Sequence, residues 1–487
     1  MTLVRKAASG AVWTIGTGVL ARIVGLVGTL FITHHLAPSV MGEVASATIL
    51  ALTANWISHW GFNQYVIVKG EENADNLFHA TVLHLTCGLA AITLVLTFES
   101  QFTEFLNAPN LGDYLPGMAL SVAIKRLASI PDKLLMRDMR FKVVAIAGAA
   151  GEFTYIALAV GLVLTTDLGG QAIVIANIVQ AIITSSIEIA AVGTSRWLTP
   201  KPWNWQRARE IFRFGTPLAI ETVLSEAGRY WDKLLFARLF GPHHQGMYGL
   251  AYNLSDLPAT YVGEHVATVL FPTMVQIEPE KRNALFCRAC GLLALIVLPM
   301  AVGLASVADT LVKLLLPNEW QGVADFLVVV ATVAIFRPLN AVISSLLMAT
   351  ERNRMLMLFE LLKVILLLTG MWFLSRFGEV PAAAAIGLAM AIQAIGLVLV
   401  MATQGFPAGR LLVEFRGPAI AASMIVATVL GLRELFLHWE IAPLALQLAT
   451  EIIGGALVYL LGVWIFARSA LIRLIDVLKQ QISKRPT

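Results

Sequence analysis

FGTPLAIETVLSEAGRYWDKLLFARL, residues 214–239, is long and apolar enough to cross a bilayer, yet its middle carries Glu221, Glu226, Arg229, Asp232 and Lys233. A soluble amphipathic helix would not be flanked on both sides by further stretches of membrane length. A plain membrane anchor would not hold so many ionisable groups. At roughly 100° per residue, Glu226, Arg229 and Lys233 fall within about 60° of arc, with Asp232 one turn from Arg229. A charge at mid-bilayer costs about 2.5–3.5 kcal/mol even on the lenient insertion scale. The polar stripe therefore faces a water-filled cavity or a partner, or its charges neutralise one another as local ion pairs.

The rest of the chain sets the context for that stretch. Of 487 residues 57% are hydrophobic and 14% charged, and the mean hydropathy is +0.76, far from the soluble norm. An all-α integral membrane protein follows, with spans expected at 9–33, 44–65, 78–98, 115–136, 143–164, 170–192, 214–238, 247–273, 287–306, 323–349, 355–375, 380–403, 417–437 and 443–466, about 14 in all. The first is too long for a cleaved signal, contains Arg22 and lacks an Ala-x-Ala exit site.

Lys and Arg concentrate in alternate connections, from Arg5 and Lys6 through the run Arg196–Arg213 to Lys484 and Arg485. The opposite connections hold only Arg238, Lys313, Arg376 and Arg433. This asymmetry puts both termini in the cytoplasm. It also accounts for the net charge of +4, so the basic excess gives no support to nucleic-acid binding. Cys87, Cys287 and Cys290 are too few for a disulfide framework, and the C-x-x-C at 287–290 lacks the further ligands of a zinc site and the context of a redox motif. No metal and no cofactor is expected. No G-x-x-x-x-G-K-[ST] is present, which excludes an ATP-binding cassette within this chain.

Two halves of the chain resemble each other. Pro38-x-x-x-Gly42 after the first span matches Pro242-x-x-x-Gly246 after the seventh, 204 residues on. The stretch Leu134–Arg140 parallels Leu346–Arg352 at an offset of 212. Six spans per unit leave both halves inserted the same way, which is a parallel repeat with a pseudo-two-fold along the membrane normal. The expected organisation is a six-helix bundle over 1–192, an interfacial linker over 193–213 rich in Trp and Arg, a second six-helix bundle over 214–404, and two extra spans with an amphipathic tail over 405–487. Pro116, Pro131, Pro217, Pro258 and Pro299 are expected to supply bends.

Such repeats place a binding site at the interface between halves near the midplane. The span-embedded cations are Arg22, Lys125, Arg126, Lys133, Arg229, Lys233, Arg337 and Lys363. At about 3 kcal/mol apiece they would cost on the order of 24 kcal/mol facing lipid, more than a domain's typical net stability. They are therefore expected to line a shared interior suited to an anionic cargo, since Arg and Lys bind phosphate through charge-assisted hydrogen bonds. Lys133 and Lys363 lie near span ends and are expected to snorkel. That leaves Arg22, Lys125, Arg126, Arg229, Lys233 and Arg337 as cargo-binding candidates, with Asp132, Glu226 and Asp232 as ion-coupling or ion-pair candidates. On the fourth span Lys125, Arg126, Ser129, Asp132 and Lys133 fit within about 120°.

The chain resembles the polysaccharide-unit flippases of the multidrug/oligosaccharidyl-lipid/polysaccharide (MOP) exporter superfamily. The resemblance is carried by Pro38-x-x-x-Gly42, by Pro131 with the turn Leu134–Lys142, by Asp232-Lys233-Leu234-Leu235, by Gly246–Tyr252, by Val269–Pro272 and by Leu314–Trp320. It covers spans one to twelve. Ala37, Met41 and Pro317 depart from the usual pattern and blur the subfamily more than the family. The resemblance implies alternating access by two six-helix bundles in the bacterial inner membrane. Its implied cargo is an oligosaccharide on undecaprenyl pyrophosphate, moved from the inner to the outer leaflet. It also implies the polysaccharide polymerase of the same pathway as a partner and a proton or sodium ion for coupling.

An enzyme is not expected. Polytopic polymerases and glycosyltransferases need ordered outer loops bearing catalytic Arg or acidic groups, and the outer loops here are short and poor in them. The alternatives kept are a lipid II flippase, which also uses a basic cleft, and an ion-coupled multidrug antiporter, which would want an acidic, aromatic cavity.

Overall fold

The computed structural model describes residues 18, 20–69, 74–439, 443–468 and 470–472. Arg5, Lys6 and nearly all of the amphipathic tail lie outside the described residues. Among the described residues every regular element is a helix. Ten helical stretches among the described residues are long and apolar enough to cross a membrane, one of them, Val323–Ala349, made of two consecutive helices. They correspond to ten of the fourteen expected spans. The other four fall on the short described helix Leu20–Ile32, on Leu111–Arg137 and on the two arms of Trp205–Gln276. Leu111–Arg137 has ample length at 27 residues, but Asp113, Lys125, Arg126, Asp132, Lys133 and Arg137 burden it with charge.

The chain divides into two compact units, 1–246 and 247–487. The first contains α1 (Leu20–Ile32), α2 (Pro38–Ile57), α3 (Phe62–Lys69), α4 (Ala74–Thr97), α5 (Glu99–Leu106), α6 (Leu111–Arg137), α7 (Phe141–Thr165), α8 (Gln171–Val192), α9 (Thr194–Trp197) and the first arm of α10 (Trp205–Gln276). Here α6 is central, packing on α2, α4, α7 and α8, and it runs through Pro116 and Pro131 as one helix. Its core joins Ile32, Val44, Leu50, Leu115, Met118 and Ile173 with Ala237 of α10.

The second unit holds α11 (Pro279–Leu315), α12 (Val323–Thr332), α13 (Phe336–Ala349), α14 (Asn353–Leu374), α15 (Glu379–Thr403), α16 (Ala408–Trp439) and α17 (Leu444–Phe466). One core gathers Phe286, Val297, Val342, Leu346 and Leu397, and takes in Cys287 and Cys290 as buried free thiols. A second ties α16 and α17 to α11 through Leu295, Val307, Ile425, Val429 and Val463.

α10 leaves helical geometry at Gly241 (φ 80, ψ 172), just past the stretch 214–239. Glycine reaches this φ without a steric penalty, and Pro242 restarts the helix with no N–H to lose. The Pro-x-x-x-Gly stretches at 38–42 and 242–246 lie against each other. A Cβ on Gly42 would sit 1.9 Å from the Pro242 carbonyl oxygen, and one on Gly246 would sit 2.0 Å from that of Pro38. The turns ending α6 and α13 also share one geometry. Met139 and Glu351 take φ of 56° and 59°. Arg140 N–H donates to Leu135 O, and Arg352 N–H donates to Leu347 O, both at 2.8 Å. This is a helix C-terminus closed by a left-handed residue.

The segment 193–213 lies inside the first unit. Trp197 is buried in a core with Phe62, Tyr65, Leu77 and Ile211, and Trp203 stacks on His79 at 4.9 Å. His79 accepts from Asn204 N–H at Nε2 (2.8 Å), while its Nδ1 faces Asp75 O (2.7 Å). Two of the tryptophans expected at the interface are therefore spent on fastening the segment to α4, and Trp205, at 77% exposure, stays outside.

Candidate functional site

The polar arc of α6 divides at its middle. Arg126 and Ser129 turn towards α2, α3 and α4. Arg126 is 3% exposed, and its Nε donates to His84 O at 2.8 Å. Nη1 donates to Asn55 Oδ1 (2.7 Å) and Ser58 Oγ (2.9 Å), and Nη2 donates to Ser58 O (3.0 Å). Its side chain crosses α4 at Gly88, where a Cβ would stand 1.7 Å from Nε. Buried charge is tolerated because the guanidinium's donors find acceptors in a fixed fork. Asn63 Nδ2 bridges His59 Nε2 (2.8 Å) and Ser129 Oγ (2.7 Å).

Lys125, one residue and about 100° away, is exposed and lies within Coulombic reach of Glu152 on α7, as does Arg22 on α1. Glu152 accepts from Gln180 of α8 at 2.9 Å, and a Cβ on Gly25 of α1 would meet its Oε1 at 3.1 Å. Arg22, Lys125, Glu152 and Gln180 thus form one polar group spread over four helices, with both cations exposed. Nearer the end of α6 Lys133 Nζ meets Asp132 at 2.8 Å.

On α10 the deepest charges lie side by side. Asp232 is 0% and Lys233 7% exposed, and they pair at 3.7 Å. Lys233 Nζ also donates to Arg229 O (2.9 Å) and lies 5.2 Å above the Tyr230 ring. This arm docks on α2 through Trp231, whose indole donates to Thr53 (3.3 Å), and through Tyr230 against Trp56 at 5.0 Å. That docking leaves Arg229 exposed and Glu226 half-buried.

In the second unit Arg337 pairs with Asp256 and stacks 4.0 Å over Tyr252. Lys363 pairs with Glu360, which accepts from Gln393 of α15 at 2.8 Å. A Glu–Gln bridge therefore links α14 to α15, as Glu152–Gln180 links α7 to α8. Glu451 of α17, 0% exposed, takes Thr310 (3.1 Å) and Gln447 (3.1 Å) and lies 3.6 Å from Arg433 of α16. Arg433 was expected in an outer loop, but it serves to hold α16 and α17 to α11. At the α6–α7 turn, Arg196 forks onto Asp138 at 2.5 and 3.0 Å, and this hydrogen bonding holds the Asp138 carboxyl below its usual range.

Sequence reading missed His59, His84, Asn55 and Asn63, because uncharged polar residues in an apolar run carry little hydropathy signal. The acid–amide bridges were legible only as isolated glutamates.

The same arrangement of helices recurs in a solved lipid II flippase MurJ in an inward closed conformation, with TM-score 0.76 and 16% identity, covering 93% of this chain and 98% of that one. That likeness defines the class by fold, a bundle of membrane-spanning helices. A family model described as "Polysaccharide biosynthesis protein" matches residues 33–325, and the chain belongs to that family. The lipopolysaccharide biosynthesis protein WzxC of Escherichia coli K12 is 23% identical over 374 residues, 75% of this chain and 74% of its own length. The teichuronic acid biosynthesis protein TuaB of Bacillus subtilis 168 is 22% identical over 358 residues, 72% and 73% respectively.

Proposed function

We propose that the protein carries undecaprenyl-pyrophosphate-linked oligosaccharide units from the cytoplasmic to the periplasmic leaflet of the bacterial inner membrane. It does so by alternating access along a hydrated cationic passage, and hands the units to the polymerase of the same pathway. The observation that carries this reading is the exposed pair Arg22 and Lys125 on span helices, held beside the bridged Glu152. A pyrophosphate-linked glycan cannot cross hydrocarbon unsolvated, and exposed cations at that depth are affordable only where water or an anion meets them. The proposal includes fourteen spans, six-helix bundles over 1–192 and 214–404, and both termini in the cytoplasm. The shared turn geometry at Met139 and Glu351 supports two bundles built to one plan.

Arg126, Lys233 and Arg337 are engaged within the helices, so Arg22 and Lys125 are the preferred cargo-facing candidates. For a coupling cation Glu226 is preferred over Asp132 and Asp232, which adjacent lysines already hold. The test is a deletion strain scored for lipid-linked glycan on the cytoplasmic leaflet and complemented with Arg22→Ala or Lys125→Ala. Each variant should lower export by about tenfold or more, the loss of one charge-assisted hydrogen bond. Full rescue by both would remove the site assignment. Normal glycan distribution with lost drug resistance would favour an antiporter, and accumulated cell-wall precursor would favour a lipid II flippase.

A further inference from the structure

Arg126 has a neighbour to which the cargo reading assigns no task. His59, just past α2, and His84, on α4, meet edge to face with centroids 5.7 Å apart. His84 is 1% exposed. Neither of its ring nitrogens has a hydrogen-bond partner, nor does His59 Nδ1, nor Asn63 Oδ1. A neutral imidazole holds one N–H and one lone pair; the Arg126 backbone bears on the His84 ring, and at least one of the two stays idle at a site where idle polar groups are costly. His59 Nε2 accepts from Asn63 Nδ2, which puts its single proton on Nδ1.

We propose that His59 and His84 form a proton-loading site, and that loading it releases α6 from α2 and α4. The added proton goes to a ring nitrogen, and no other bond is made or broken covalently. On His59 it goes to Nε2, which then becomes a donor facing the donor Asn63 Nδ2. Asn63 must turn its amide to offer the idle Oδ1, which draws Nδ2 away from Ser129 of α6. The new positive charge also stands against Arg126 and, farther along α6, Lys133, itself paired with Asp132. Cys87, a turn from His84, is the other titratable group at this place. Among the described residues no carboxylate acts on the two rings, so the closed arrangement and the loaded site oppose each other. Separating the helices lets the imidazolium reach water. This site is independent of the identity of the cargo, and it gives a proton-driven exporter one place where proton uptake is converted into helix movement.

Cys87 is a built-in reporter, half-buried on α4 beside Arg126. The full-length protein in lipid nanodiscs is labelled with maleimide from about pH 7.5 to about pH 5.5, the range in which histidine titrates. Labelling at Cys87 is read by peptide mass mapping and divided by the rate for the unfolded chain at the same pH. Protection should fall by up to about tenfold per pH unit, the limit for one linked proton, and should stay flat in His59→Gln and His84→Gln. Unchanged protection with both histidines present overturns the proposal, as does an equal fall in the variants. If the variants do not fold, 15N-histidine spectra decide: one of the two rings must become imidazolium over the interval in which protection falls, and a pair that stays neutral overturns the assignment.

Discussion

Arg126 shows how much a single side chain can hold. Its fork binds Asn55 and Ser58 at the end of α2 and the His84 carbonyl of α4. Truncation leaves those acceptors buried and unpaired at about 1–3 kcal/mol each. Arg126→Ala should therefore lower stability by about 3 kcal/mol or more, seen as a fall in melting temperature in detergent, and Gly88→Ala should match it because the new Cβ takes the place of Nε. A flipping defect in Arg126→Ala with unchanged melting would refute this structural role. Asp138 works on a smaller scale. Its side chain and that of Arg196 are 26% and 33% exposed, so the pair contributes about 0.5–1 kcal/mol after screening. Because its carboxyl is held below the ordinary value of 3.8, that contribution is full above 3.8 and vanishes as pH falls through the lower folded value. The melting gap between wild type and Asp138→Asn should be constant above that range and close below it.

Among elements, the crossing of the two Pro-x-x-x-Gly stretches is a close backbone contact that only glycine permits. Gly42→Ala or Gly246→Ala forces a backbone carbonyl to move, since the new carbon would lie about 2 Å from it. Gly249, in the same α10, has nothing within 4 Å of a built Cβ. Gly249→Ala should leave stability unchanged or raise it by about 0.4–1 kcal/mol through helix propensity, while the Gly42 and Gly246 variants lose folded yield. Fluorescence-detected size exclusion separates these outcomes. Equal yields for all three would show that the crossing is loose.

At the scale of the molecule the prediction concerns orientation. The Lys and Arg bias puts 193–213 inside and the turn at 165–170 outside. In intact cells, with the three native cysteines replaced by serine, Asp167→Cys should react with an impermeant maleimide applied from the outer side, and Lys201→Cys should react only after the membrane is opened. The reverse pattern would invert the protein and with it the direction of export.

Hydropathy and charge determined the class of this chain from the sequence alone. Runs of about 20 apolar residues have few folds open to them in lipid, and the turns after Pro38, Pro242, Met136 and Met348 are set by local chemistry. The embedded cations were legible as anomalies for the same reason. Their assignments were not, because which face of α6 meets α2 or α7 depends on helices far away in sequence. Lys125 and Arg126 are neighbours in the chain, yet one is exposed near Glu152 and the other is locked beneath Gly88. Only the packing of α2, α4, α6, α7 and α8 separates them, since a rotation of about 100° between adjacent residues becomes a difference in role once neighbouring helices occupy each side.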